Sequence, residues 1–437
     1  MICMDRKEWL SCENREMYKL KRYVVAFFFI TYEDFMAKIL DEINYLIDEY
    51  LELYETKENR RRLSCWEPEI CARDQWHGRA RENAFRDESA VPITVDLQNP
   101  LWIKRFPQDL SHTFKDPHAY LKFYLQKRIE SFRLFRDDTP LELIIPIWMH
   151  TPFEMSLFGM QTLYFRDQDP VVHQDSAVCH SKEDLDRLPP INFYQSGMMP
   201  LAHRIYEGIK EVCEPQFKII FPEWIRGPLG VALFLRGYTN LLLDMTGDVE
   251  LVHGLMKKVT DERKRYFSMR ASFMGEDVIP PGSLFNDEVD SGIIGPMHYR
   301  EFVKPYEIDL GKFHKRISYW HSCGNIKLMV NDIVDLKCVE VLDISGWTSL
   351  EGALDSINGR VHRLDIRLHP LKYLQDATID HMARRVKQVI TLCRKYDVPA
   401  CSLRVSGLQP RKNLKIDFEQ IKRWIETARK IIEKEQK

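Results

Sequence analysis

Between residues 91 and 405 short runs rich in β-branched and aromatic residues alternate with longer stretches of helical periodicity. The strand-like runs are 91–97 (VPITVDL), 141–149 (LELIIPIWM), 218–224 (KIIFPEW) and 277–285 (DVIPPGSLF). They continue with 317–320 (ISYW), 338–344 (CVEVLDI), 360–366 (RVHRLDI) and 400–405 (ACSLRV). Helical stretches at 248–272, 297–315, 326–336 and 379–396 separate most of them. Eight strand candidates alternating with helices predict an α/β fold, a (β/α)8 TIM barrel spanning residues 91–437. A doubly wound sheet is the alternative, but no glycine-rich phosphate turn supports it. The spacer after the second strand is long and contains FGMQTLYFRDQDPVVHQDSAV, whose alternation predicts a hairpin over the barrel mouth.

Residues 1–90 follow a different pattern. From Phe35 to Tyr54 the apolar positions Phe35, Ile39, Ile43, Leu46, Ile47, Tyr50 and Leu53 recur at helical spacing, with acidic residues between them. This is a helical N-terminal extension, joined by the polar stretch ENRRRLSCWEPEICARDQW. Its amphipathic helix fits a cover over the mouth, a homodimer contact or a docking point for another protein.

Composition narrows the function classes. The 437 residues are 44% hydrophobic and 29% charged, which excludes wholesale disorder. The formal net charge of −2 argues against a nucleic-acid binder, which normally carries a basic excess. The longest apolar run, Tyr23–Ile30, is far shorter than the ~20 residues a bilayer span needs. The early residues are charged and lack a secretory pattern. Ten cysteines scattered through so long a chain do not form a disulfide scaffold. A cytoplasmic protein with free thiols is expected, no membrane and no nucleic acid among its partners.

Barrel enzymes carry their chemistry at the C-terminal ends of strands. Those positions hold Asp96, His150, Glu223 with Arg226, Asp287 with Glu288, His321 with Cys323, Asp343, and Asp365 with Arg367. One such residue is usually the start of a loop, but recurrence at nearly every strand predicts a lined site. The sharpest motif is WHSCGN, Trp320–Asn325. His321 and Cys323 are two apart, so in extended geometry both project to one side. Imidazole and thiolate together suit zinc. The plain alternative is a buried cysteine beside a solvated histidine. Cys213, Cys338 and Cys393 fall in apolar patterns and read as packing, and neither Cys65 with Cys71 nor Cys179 with His180 has zinc spacing.

Several of these segments resemble the uroporphyrinogen decarboxylase superfamily. They are HSCGN (321–325), PMHYREFVKPYEIDLGKFHKR (296–316), GPLGVALFLRG (227–237) with the helix after it, FND (285–287) and NLKIDFEQIKRWIETARK (413–430). The likeness covers about residues 85–437 and is nearest to the branch of methylcobamide:thiol and other corrinoid-dependent methyltransferases. It implies a TIM barrel and one zinc ion held by a His-x-Cys pair and a distal cysteine. His321 and Cys323 match the pair, and Cys401 is the expected third ligand, with Glu288 or Asp287 as its replacement. It further implies methyl transfer between a corrinoid and a small-molecule thiol or a pterin, the corrinoid arriving free or on a corrinoid carrier protein. Catalytic roles then fall to Asp287, Glu288 and Asp343, and substrate binding to Asp96, His150, Arg226, Asp365 and Arg367. Two other readings stay open: a decarboxylase acting on a tetrapyrrole, and a non-catalytic barrel that binds a corrinoid carrier. The chain departs from the decarboxylase pattern after its first strand, where QNPLWIKRF replaces an arginine-rich signature. The cluster Arg73, Arg79, Arg81 and Arg86 lies before that strand.

Overall fold

A computed structural model describes residues 36–67, 78–82, 91–361 and 363–436. The run Tyr23–Ile30, the cysteines at 3, 12 and 71, and Arg73 and Arg86 lie outside these.

Among the described residues ten strands follow in chain order: β1 (Ile93–Leu97), β2 (Ile144–Pro146), β3 (Thr162–Leu163), β4 (Val171–Val172), β5 (Lys218–Ile220), β6 (Gly282–Phe285), β7 (Ile317–His321), β8 (Val339–Ile344), β9 (Arg363–Leu368) and β10 (Ala400–Leu408). Each of the eight predicted runs overlaps one of them, and the other two, β3 and β4, are the predicted antiparallel hairpin. Six strands form one parallel sheet in the order β1-β10-β9-β8-β7-β6, and β2 and β5 form a separate parallel pair. The pair meets the sheet just past β5, where Arg226 bridges Phe285 in parallel register. Among the described residues no ladder joins β1 to β2, so the hydrogen-bonded ring is curled rather than continuous.

Carboxylates complete the edge that β1 turns toward β2. The amides of Ile93 and Val95 donate to Asp138 (2.9 Å) and Asp137 (3.2 Å), and the Asp138 amide returns a bond to the Ile93 carbonyl. Burial raises the Asp137 pKa to about 6, with the Arg62 guanidinium opposing it. Arg61 and Arg429 flank Asp138 at 2.8 and 3.1 Å. Arg61 and Arg62 come from the helix Lys57–Ser64, and Arg62 also donates to the carbonyls of Phe132, Phe135 and Thr139. A helix over residues 36–54 precedes it. Ile43, Ile47 and Tyr50 recur on its buried stripe, and the Tyr50 hydroxyl donates to the Glu142 carbonyl ahead of β2. This end of the chain therefore packs where strands begin, opposite the end where barrel chemistry occurs.

The β3–β4 hairpin lies at the other end. The Arg166 carbonyl accepts from the Leu110 amide, and Asp169 accepts from Asn99 at 2.6 Å, both partners following β1. Among the described residues no helix is long and apolar enough to cross a membrane.

Candidate metal centre

Side chains alternate along a strand, so every second residue of β6 to β10 faces the interior of the curl. Its two halves differ. Trp148, Ile225, Phe285, Tyr319 and Val341 form a small apolar cluster of their own. On the side of β9, β10 and β1 the interior is ionic. Arg404 donates to Asp365 at 2.7 Å and to Asp96 at 2.8 Å, and Ser402 donates to Asp365. Asp343 and Asp365 are register partners on adjacent strands, and like charges directly opposed are destabilising unless cations intervene. Arg367 pairs with Asp343 at 2.9 Å and Arg404 with Asp365, while the Tyr319 hydroxyl lies 3.1 Å from one carboxylate and 2.5 Å from the other.

The candidate site sits where the two halves meet. β7 ends at His321 and turns through Ser322 to Cys323, while the loop after β6 presents Asp287. One donor atom from each of Asp287, His321 and Cys323 falls within 4.8 Å of the others. The His321 Nε2 atom lies 3.1 Å from Asp287 Oδ1 and 3.2 Å from Cys323 Sγ. Its Nδ1 lies 2.5 Å from Asp343 Oδ2, the carboxylate partner that metal-ligating histidines characteristically have. Nδ1 is thus committed and Nε2 faces the thiol. His321 is buried over Phe285, with ring centroids 4.9 Å apart, while Cys323 is exposed.

Electrostatics favour opposite charges here. Burial alone raises the Asp287 carboxyl, but the His321 bond and charge, with Arg226, hold it well below the usual carboxylate range. Asp343 is likewise held down by Arg367 and His321 against its burial. Burial and Arg367 push the His321 imidazole down, yet Cys323, Asp343 and Asp287 together raise it. A thiolate, an imidazole and a carboxylate form a donor set that suits zinc, and three protein donors leave a position open as catalytic zinc sites do.

The other predicted residues divide. Asp96 and Asp365 lie in the ionic interior, saturated by Arg404. Arg226 reaches Glu288 at 2.5 Å and Asp287 at 3.7 Å, and Glu288 also accepts from the Tyr238 hydroxyl. Tyr238 with Phe234 lines a cavity of about 410 Å3 beside this group. His150 adopts a left-handed backbone, φ 62°, and packs on Phe114 with Asp169 at 3.6 Å, and is not part of the three-donor group. Glu223 is buried and accepts from the Ser283 amide.

Cys401 lies elsewhere. Ser402 and Arg404 face the interior of the curl, so Cys401 faces outward, where it meets Cys393 of the helix Ile379–Lys395. It is fully buried in the main core and is not among the donors that come within 4.8 Å of one another. Asp287, the replacement expected for it, is the third donor of the group. Arg79 pairs with Glu340 at the start of β8 and Arg81 donates to the Trp66 carbonyl, so neither lines the mouth.

Sequence reasoning missed Tyr319, Arg404 and Glu307. The first two sit at alternate positions with His321 and Ser402, a parity visible in the sequence. Glu307 lies on the stripe Glu307, Leu310, Gly311, His314, the buried face of the helix Lys304–His314. Burial raises its pKa to about 7, against the pull of its hydrogen-bond donors. Because the folded value lies above the ordinary 4.5, the native state holds this proton longer than the unfolded chain does. Its contribution to stability is therefore present below about pH 4.5 and lost as pH rises through about 7, on the order of 3 kcal/mol. Chemical denaturation at pH 5 and pH 8 should show Glu307→Gln losing that much less stability across the interval than wild type. Parallel pH profiles would refute it.

The sequence matches the uroporphyrinogen decarboxylase (URO-D) family over residues 125–402, more than half of the chain. Among solved structures, a methyltransferase from Methanosarcina mazei superposes with a TM-score of 0.58 at 17% identity, covering 79% of this chain and 96% of that one. At that identity the likeness speaks to the fold. No curated protein matches. With the matched region running from before β2 into β10 and holding all three donors, the chain belongs to the uroporphyrinogen decarboxylase family.

Proposed function

We propose that this chain is a zinc-dependent methyltransferase that moves a methyl group between a corrinoid and a thiol or pterin acceptor. The observation that carries the reading is the convergence of Asp287, buried His321 and exposed Cys323 at strand ends. In this reading the eight parallel strands are staves of one barrel, residues 1–90 are an extension to it, and the thiol chemistry belongs in a reducing cytoplasm. Zinc bound there would lower the pKa of an acceptor thiol, so that a thiolate is present at neutral pH.

The chain's own residues do the rest. Asp343 fixes the His321 tautomer and ring, leaving Nε2 for the metal. Cys323 carries its sulfur to the solvent side, where a second substrate can approach, and Asp287 supplies the oxygen donor. Phe285 and Tyr319 close the floor against water. Arg226 and Arg367 keep the acidic groups paired, so the site is not a bare negative well. Holding donor and acceptor in one register at the strand ends makes the transfer effectively intramolecular. The corrinoid would come free or on a carrier protein.

Metal analysis and a transfer assay test this together. Purified protein should contain about one zinc per chain, the stoichiometry of a single three-donor site. It should demethylate methylcobalamin in the presence of a small thiol or a pterin, lose that activity to a chelator and regain it with zinc. Uroporphyrinogen decarboxylation that survives chelation would replace the proposal with a decarboxylase. Tight binding of a corrinoid carrier without transfer to any acceptor would make the barrel a non-catalytic binder.

A further inference from the structure

Behind the three donors, on the helix-facing side of the strands, lies a second polar cluster that the chemistry above does not use. Its centre is Glu307, a fully buried carboxylate. One oxygen accepts from the Asn286 side-chain amide at 2.8 Å. The other accepts from the Tyr299 hydroxyl at 2.6 Å and the Trp320 indole N–H at 3.2 Å. All three donors are neutral. A buried carboxylate without a bonded cation is costly, so its presence needs a reason.

The reason lies in what the two strand-end donors stand next to. Asn286 precedes Asp287, and Trp320 precedes His321. Asn286 is moreover the crosspiece between the two strand ends, because its backbone amide donates to the His321 carbonyl at 2.7 Å. On its other side Gly227 leaves no room: a β-carbon there would fall 1.6 Å from Asn286 Oδ1. Asn286 is thus clamped between a glycine and Glu307. Tyr299 begins a π-helical turn, Tyr299–Val303, just ahead of Pro305, which has no N–H to continue a regular ladder.

We propose that Glu307 is a positioning residue for the metal centre: by gripping Asn286 and Trp320 together it sets the spacing of Asp287 and His321. The inference rests on reading Asp287, His321 and Cys323 as a metal site. As a carboxylate, Glu307 accepts from Asn286 on one oxygen and from Trp320 on the other. In Glu307→Gln one oxygen becomes an NH2 group, which places a donor against the Trp320 or the Asn286 N–H.

The test is zinc affinity by competition with a chromogenic chelator, with cobalt(II) spectra as a report on the ligand field. Glu307→Gln should bind zinc about 10- to 100-fold more weakly than wild type, the usual cost of losing an outer support. Its cobalt bands should shift, while the metal-free variant stays folded at pH 8, where the buried charge it removes is itself unfavourable. Tyr299→Phe keeps the carboxylate and deletes one donor, and should weaken zinc in the same direction by less. A folded Glu307→Gln with wild-type zinc affinity and cobalt spectrum overturns the proposal. Should that variant not fold, unchanged affinity in Tyr299→Phe overturns it. Failure of the parent reading looks different, because wild-type protein would then bind zinc no better than His321→Ala does.

Discussion

Replacing His321 and Cys323 together with alanine should empty the metal centre and reduce methyl transfer by about 10³-fold or more, the scale of several kcal/mol of lost metal assistance. The protein should nevertheless remain folded. Cys323 is exposed, so its truncation opens no cavity in the core. Asp343, deprived of the imidazole, keeps Arg367 at 2.9 Å and the Tyr319 hydroxyl at 3.1 Å, so it does not become an orphaned buried charge. Elemental analysis of the purified double variant, beside its thermal unfolding curve, provides the check. Stoichiometric zinc retained by the double variant would remove these residues from the site. Loss of zinc together with collapse of the fold would mean that the ionic interior depends on His321 more than its bonding pattern indicates.

The second large effect belongs to stability. Arg404 is fully buried and answers two carboxylates, Asp365 and Asp96, on the strands to either side of β10. Arg404→Met keeps much of the side-chain volume but leaves both charges without this cation. Breaking a buried pair this way typically costs about 3–5 kcal/mol. Urea denaturation at pH 7 measures it, and a loss below about 1 kcal/mol would show that the carboxylates are otherwise compensated. The double variant Arg404→Met, Asp365→Asn should recover part of the loss, because the two residues share one network. Zinc affinity is a useful companion measurement, since Tyr319 links Asp365 to Asp343 and so to His321.

Much of the fold was legible because its strands are short apolar runs set between helices of a different period. Strand ends were less so, and the reasons are local. The run 277–285 yields a strand only from Gly282, after Pro280 and Pro281, neither of which can donate to a ladder. The run 400–405 extends to Leu408, with Gly407 taking a left-handed turn at φ 75°.

Within the site, His321, Cys323 and Asp287 could be read because donor chemistry and strand-end position coincide. The place of Cys401 takes one further step. On β9, Arg363, Asp365 and Arg367 alternate with Leu364, Ile366 and Leu368. The same alternation on β10 puts Ser402 and Arg404 inside and Cys401 outside. Glu307 was readable in part: an acid on the apolar stripe of a helix is a conflict between pattern and chemistry, and such conflicts mark positions held for function. What it holds could not be read, because Asn286 and Trp320 reach it only after three separate elements have packed.

The edge of β1 has a consequence for how this molecule deforms. A ring of strands laddered all the way round has a set circumference, and widening it means breaking a row of backbone bonds at once. Here one edge is tied instead by two buried carboxylates and a single backbone bond from Asp138 to Ile93. Its strength therefore rests on ion pairs to Arg61, Arg62 and Arg429, which salt and acid weaken and a strand ladder would not feel.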